Sequence, residues 1–109
     1  MANYNIRNIF QNPTKSGGTA IAAQALTVTS TATKQFAAFN QNTDTVFLDV
    51  QTANVWVTFD GTTPASGNGH ILTPTLGYAL QWSAAAATAA KFVATTTTNA
   101  VIYASEFQS

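Results

Sequence analysis

Along residues 45–60 and 100–107 the chain changes character at every second residue, and this period of two is the strongest constraint on what it can fold into. Val46, Leu48 and Val50 alternate with Phe47 and Asp49. Val55, Val57 and Phe59 alternate with Trp56, Thr58 and Asp60. Ile102, Ala104 and Glu106 fall on the side opposite Val101, Tyr103 and Ser105. Successive side chains of a strand point to opposite faces, so these runs predict strands with one face on a core. β-branched and aromatic residues dominate them, as strands favour.

Further strands are expected over 25–31, where Leu26, Val28 and Ser30 alternate with threonines, and over 34–39, 70–73, 77–82 and 91–95. Polar turns separate them at residues 40–44, 52–54 and 96–99, and in a longer loop with Asp60-Gly61, Pro64, Ser66-Gly67 and Asn68-Gly69. Asp-Gly and Asn-Gly tolerate positive φ and mark turns. The runs 45–50 and 55–60, only a few residues apart, predict a β-hairpin. Ser83 to Ala90 holds four consecutive alanines and predicts one or two helical turns or a packed loop. The expected fold is all-β, a single-domain antiparallel β-sandwich or jelly roll over residues 25–109. Residues 1–24 lack a clear period and read either as a frayed terminus or as an extended N-terminal arm with Tyr4, Ile6, Ile9 and Phe10 laid on a neighbour, and the arm is the expectation carried forward.

Charge narrows the function classes. Four basic and four acidic side chains, 7% of 109 residues, give a net charge of zero. An isolated small domain typically carries about 25–35% charge on its surface. A chain with so little is expected to live associated, as a subunit or decoration of an assembly. It lacks the basic footprint of a nucleic-acid binder and the polybasic patch of a peripheral membrane protein. Residues 1–10 hold no apolar run of the signal-peptide kind, and no stretch approaches the roughly 18 apolar residues of a membrane helix. The expectation is a protein made and soluble in a cytoplasm until it docks.

No catalytic signature emerges. The chain has one histidine, His70, and no cysteine. A triad would need His70 beside a hydroxyl and a carboxylate. Ser66 and Asp60 are near in sequence, but hydroxyls are so abundant that their proximity carries little weight. A metal site on His70 would need copies from several subunits. Asp44, Asp49, Asp60 and Glu106 are scattered, and Asp60 is expected to hold its own Asp-Gly turn. The expectation is therefore no enzyme activity, no catalytic or metal residues and no cofactor. Trp56, Tyr78, Trp82 and Tyr103 suit either a sugar-stacking platform or core and interface packing, and packing is favoured. Trp56 and Trp82 accordingly join Tyr4, Ile6, Ile9 and Phe10 as expected protein-interface residues.

The stretch from Val55 to Pro64 (VWVTFDGTTP), followed by Asn68-Gly69-His70-Ile71-Leu72, and the ending with Ala90-Lys91-Phe92-Val93 and Val101 to Phe107 (VIYASEF), resemble small β-rich structural proteins encoded in the virion-gene modules of tailed bacteriophages. The resemblance covers roughly the second half of the chain and rests on turns and strands, with no chemical signature. It implies a virion structural protein, above all a capsid decoration (cement) protein on the outer shell between major capsid subunits. The expected partners are then the major capsid protein and copies of the chain itself, as a symmetric homo-oligomer with a trimer favoured. The alternatives are a tail, adaptor or fibre subunit, and a carbohydrate-binding β-sandwich module.

Overall fold

The computed structural model describes residues 18–74 and 80–109. They form two antiparallel sheets that face each other across one core, so the all-β expectation holds. In chain order the elements are β1 (Thr19–Val28), β2 (Thr45–Gln51), β3 (Val55–Thr58), β4 (His70–Leu72), β5 (Leu80–Ser83), α1 (Ala84–Ala89), β6 (Lys91–Ala94) and β7 (Ala100–Gln108). One sheet has the order β1-β7-β2-β5 and the other β4-β3-β6.

The alternation seen in the sequence is the alternation of burial. Val46, Leu48 and Val50 of β2 meet Ile102 and Ala104 of β7 on the inner face, and Val55 and Val57 of β3 approach from the other sheet with Phe92 and Ala94 of β6. The expected hairpin between β2 and β3 does not form, because these strands belong to different sheets. The Ala53 N–H donates to the Gln51 carbonyl at 3.0 Å, with Thr52 between them at φ 79°. This bond pattern is that of a γ-turn with positive φ, a rare and strained conformation. It swings the chain across the core instead of folding it back in the same sheet. Both runs send valines into the same core from opposite sides, which alternation alone does not distinguish from pairing.

Two other boundaries differ from expectation. β1 begins at Thr19, inside the segment expected as the arm, and residues 19–24 pair with β7 as part of the four-stranded sheet. Residues 29–31, expected to continue that strand, instead begin a crossing to β6: the Ala94 N–H donates to the Thr29 carbonyl, and Lys34 and Phe92 exchange two backbone bonds of 2.9 Å. Nor do residues 34–39 form a strand. A strand would place Phe36 and Phe39 on opposite faces, whereas their rings sit 5.5 Å apart and both pack on the core. The Gln24 amide holds the segment by exchanging two hydrogen bonds with the backbone of Ala37.

The alanine run forms one short helix. Ser83 caps it by accepting from the Ala86 N–H at 3.1 Å, satisfying one of the orphan donors of the first turn. Ala87 and Ala90 are buried where α1 carries the chain from β5 to β6.

The loop between β3 and β4 is cross-braced. Asp60 accepts from the backbone N–H and the hydroxyl of Thr62, as expected of this turn. Asn68 donates to the Thr63 carbonyl, and Lys91 reaches the Gly61 carbonyl. Ala65 and Asn68 exchange backbone bonds around Ser66-Gly67. At the end of the loop, Gly69 adopts φ 123°, and a Cβ there would sit 2.7 Å from the Val57 carbonyl oxygen. Gly69→Ala is expected to cost about 2–3 kcal/mol in denaturant unfolding. Gly61→Ala, at φ 87° with open space around it, should cost only about 1 kcal/mol.

Candidate functional site

Trp56 sits on β3 between the inward-facing Val55 and Val57, so its indole belongs to the outer face of the three-stranded sheet. Register places it directly opposite Ile71 of β4 and Val93 of β6. Ile71, Trp56 and Val93 therefore form one apolar row across all three strands, with Ile71 56% exposed and the other two half-buried. Directly opposed side chains on a sheet lie close enough to make one continuous surface.

A shallow groove of about 330 Å³ runs beside this row, lined by Trp56 and Val93 together with Ser30, Thr31, Thr63 and Pro64. No charged residue lines it. Its chemistry is an indole and aliphatic floor with a rim of hydroxyls that both donate and accept.

Trp82 lies elsewhere. It is on β5 opposite Val46 and faces inward. Its ring meets Phe59 edge-on at 5.0 Å and lies parallel to Phe92 at 6.3 Å. Phe36 continues this aromatic chain, edge-on to Phe92 at 5.6 Å. The fold thus gives the two tryptophans different work: Trp82 closes the core, while Trp56 forms the outer surface. Tyr4, Ile6, Ile9, Phe10 and Tyr78 lie outside the described residues.

The outer face of the four-stranded sheet is also poor in charge. Phe47 and Phe107 pack at 4.8 Å, Tyr103 is 46% exposed, and Asp49 is the one charged residue on that face among the described residues.

His70 is exposed at the start of β4, in a second open groove with Phe59, Asp60 and Asn68. Asp60 is turned onto Thr62, whose hydroxyl and then backbone N–H hold its carboxyl below the usual carboxylate range. Asp44 is held low in the same way, first by the Ser109 hydroxyl and then by the Ser109 backbone N–H. Ser66 does not line the His70 groove. The residues weighed as a triad therefore do not assemble, since the acid serves its own turn and the hydroxyl is elsewhere. Among the described residues no three of histidine, aspartate and glutamate gather where they could hold a metal. No helix among them is long and apolar enough to cross a membrane.

Glu106 is the carboxylate that sequence reading undervalued. It faces inward on β7 and is 3% exposed. One carboxylate oxygen accepts from the Asn40 N–H and from the Thr43 hydroxyl, both at 2.8 Å. The signal was available in its parity, which matches Ile102 and Ala104. The row of Ile71, Trp56 and Val93 was harder to see, because each residue comes from a different strand and only the register joins them.

No protein-family model, no curated protein and no solved structure matches the chain.

Proposed function

We propose that this chain is a non-enzymatic structural subunit of a tailed-phage virion, a capsid decoration protein that binds the outer shell between major capsid subunits and stabilises it. The observation that carries the reading is the outward-facing row of Ile71, Trp56 and Val93 in a chain poor in charge. Aromatic anchors with aliphatic neighbours supply much of the energy of protein interfaces, and the one charged side chain on this outer face among the described strands, Lys91, is already turned onto the Gly61 carbonyl, which keeps the charge-desolvation cost low. The segments that resemble phage virion proteins form β3, the braced loop and β4, and also β6 and β7, so they include the strands that carry the row. Many copies on a shell turn weak single contacts into stable coating by avidity. Mechanically, the protein spans seams between shell subunits and opposes their separation under packaged DNA.

The test is co-sedimentation with virus particles stripped of this protein. Ile71→Lys and Trp56→Ala lie on the outer face and should leave the fold intact. Each is expected to weaken particle binding at least tenfold, or about 1.4 kcal/mol. Wild-type binding by both variants would remove this face as the docking surface.

A second reading rests on the groove beside Trp56. An indole platform rimmed by neutral hydroxyls suits the face and edge of a neutral carbohydrate, which would make the domain a glycan-binding module. The same Trp56→Ala variant separates the two readings, since only this one expects a tryptophan-fluorescence shift with a glycan panel that the variant loses.

A further inference from the structure

We infer that the edge of β1 that carries no strand among the described residues is a self-association surface, on which a second copy of this chain adds its own β1 antiparallel across a two-fold axis. The inference deepens the decoration reading by naming the contact between copies, and it rests on that reading only for its biological setting.

The four sheet edges are unequal. β4 and β5 are edges of three and four residues. β6 is covered on its outer side by residues 29–34. β1 is ten residues long and, among the described strands, is hydrogen-bonded only to β7. An edge strand presents a row of unpaired N–H and C=O groups, which proteins normally blunt with lysine, proline, a bulge or shortness. β1 (TAIAAQALTV) has no charge and no proline. Its one break in register is the irregularity between Ala20 and Ala22, which leaves a regular run from Ala22 to Val28, within which the Gln24 side chain is tied to the backbone of Ala37.

A second copy is the occupant that this run fits. Antiparallel pairing of identical strands lets each copy donate and accept in the same pattern, so one edge satisfies the other and the assembly closes. A two-fold axis perpendicular to the sheet keeps inner faces with inner faces and therefore requires residues of equal parity to be opposed. Centred on the regular run, the axis passes at Ala25. It opposes Ala25 to its own copy, Ala23 to Thr27, Gln24 to Leu26 and Ala22 to Val28. The outward residues Ala23, Ala25 and Thr27 are small, exposed and uncharged, so the copies meet without repulsion. The two four-stranded sheets then become one continuous sheet of eight, with Tyr103 and Phe107 of both copies on a shared outer face. This geometry makes a pair, in place of the trimer, the natural assembly unit. A contact of seven residues is small, so it is expected to be weak in dilute solution and filled at the high local concentration of a coat.

The experiment is light scattering on the full chain over a concentration series up to about 1 mM, the range where weak association appears, on wild type, Ala25→Lys and Ala25→Glu. Wild type should double its mass with concentration. Each variant alone should remain a monomer, because like charges meet at the axis, and an equimolar mixture of the two should restore the doubled mass. Restoration by mixing is a readout that a merely structural role of Ala25 does not produce. A wild type that stays monomeric throughout, or a dimer indifferent to both charges, would overturn the inference. Particle binding is scored separately. Binding by a strictly monomeric protein sinks the pairing alone, and a charge-sensitive dimer that ignores particles sinks the decoration reading alone.

Discussion

Phe92→Ala is expected to lower the unfolding free energy by about 3–5 kcal/mol, the range for deleting a fully buried aromatic ring. Phe92 has no exposed surface and is the largest fully buried side chain in the core. Its ring is the centre of the chain that joins Trp82 to Phe36, and its backbone exchanges two bonds with Lys34. Truncation leaves a cavity between the two sheets that α1 and the 29–34 crossing, both anchored in backbone bonds, cannot easily fill. A domain of this size has only about 5–15 kcal/mol in total, so the variant loses a large share. Denaturant unfolding measures the loss, and the emission of Trp82 should shift even in the folded variant. A loss below about 1 kcal/mol would mean that the ring is not the keystone of the core.

Glu106→Ala carries the second largest expected effect, about 2–4 kcal/mol. The Glu106 carboxylate is buried and pins residues 40–44 to the inner face of β7 through Asn40 and Thr43. Removing it strands the Thr43 hydroxyl in a buried site and the Asn40 N–H in a part-buried one, and stranded buried donors cost more than an average hydrogen bond contributes. Glu106→Gln keeps an acceptor oxygen and should lose distinctly less. A double-mutant cycle with Thr43→Val measures the coupling between the two side chains. A Glu106→Ala variant within about 0.5 kcal/mol of wild type would remove the pin from the account.

The strand faces were legible because burial follows a period of two: Val46, Leu48 and Val50, or Ile102 and Ala104, had to share a side. The short helix was legible in the alanines that follow Ser83, and the Asp60 turn in its Asp-Gly pair. What alternation does not encode is the sheet to which a strand belongs. β2 and β3 look like a hairpin in sequence because each has an aliphatic face and three residues separate them, yet the positive φ at Thr52 sends them to opposite sides of one core. β1 was legible only from Ala25 onward, because alanines at positions 20, 22 and 23 give no contrast between faces. They form a strand because β7 is long enough to pair with them. Glu106 looked like one more scattered carboxylate because its partners lie more than sixty residues away. Trp56 could be read as an interface residue, but the row it forms with Ile71 and Val93 exists only once the register of three strands is known.

The proposed self-pairing uses the edge of β1 and the proposed docking uses the outer face of the three-stranded sheet, so one copy can do both. That division suits a subunit that is held weakly to its neighbours and firmly to a surface.

The most direct measurement of the proposed virion role is the copy number of this chain in purified particles of its proposed source phage, quantified against the major capsid protein. A capsid decoration protein is expected in numbers comparable with the shell subunits themselves, lost when the outer surface is stripped and regained on adding back the purified chain. A handful of copies per particle would move it to the tail, adaptor or fibre, and its absence from particles would contradict the virion assignment altogether.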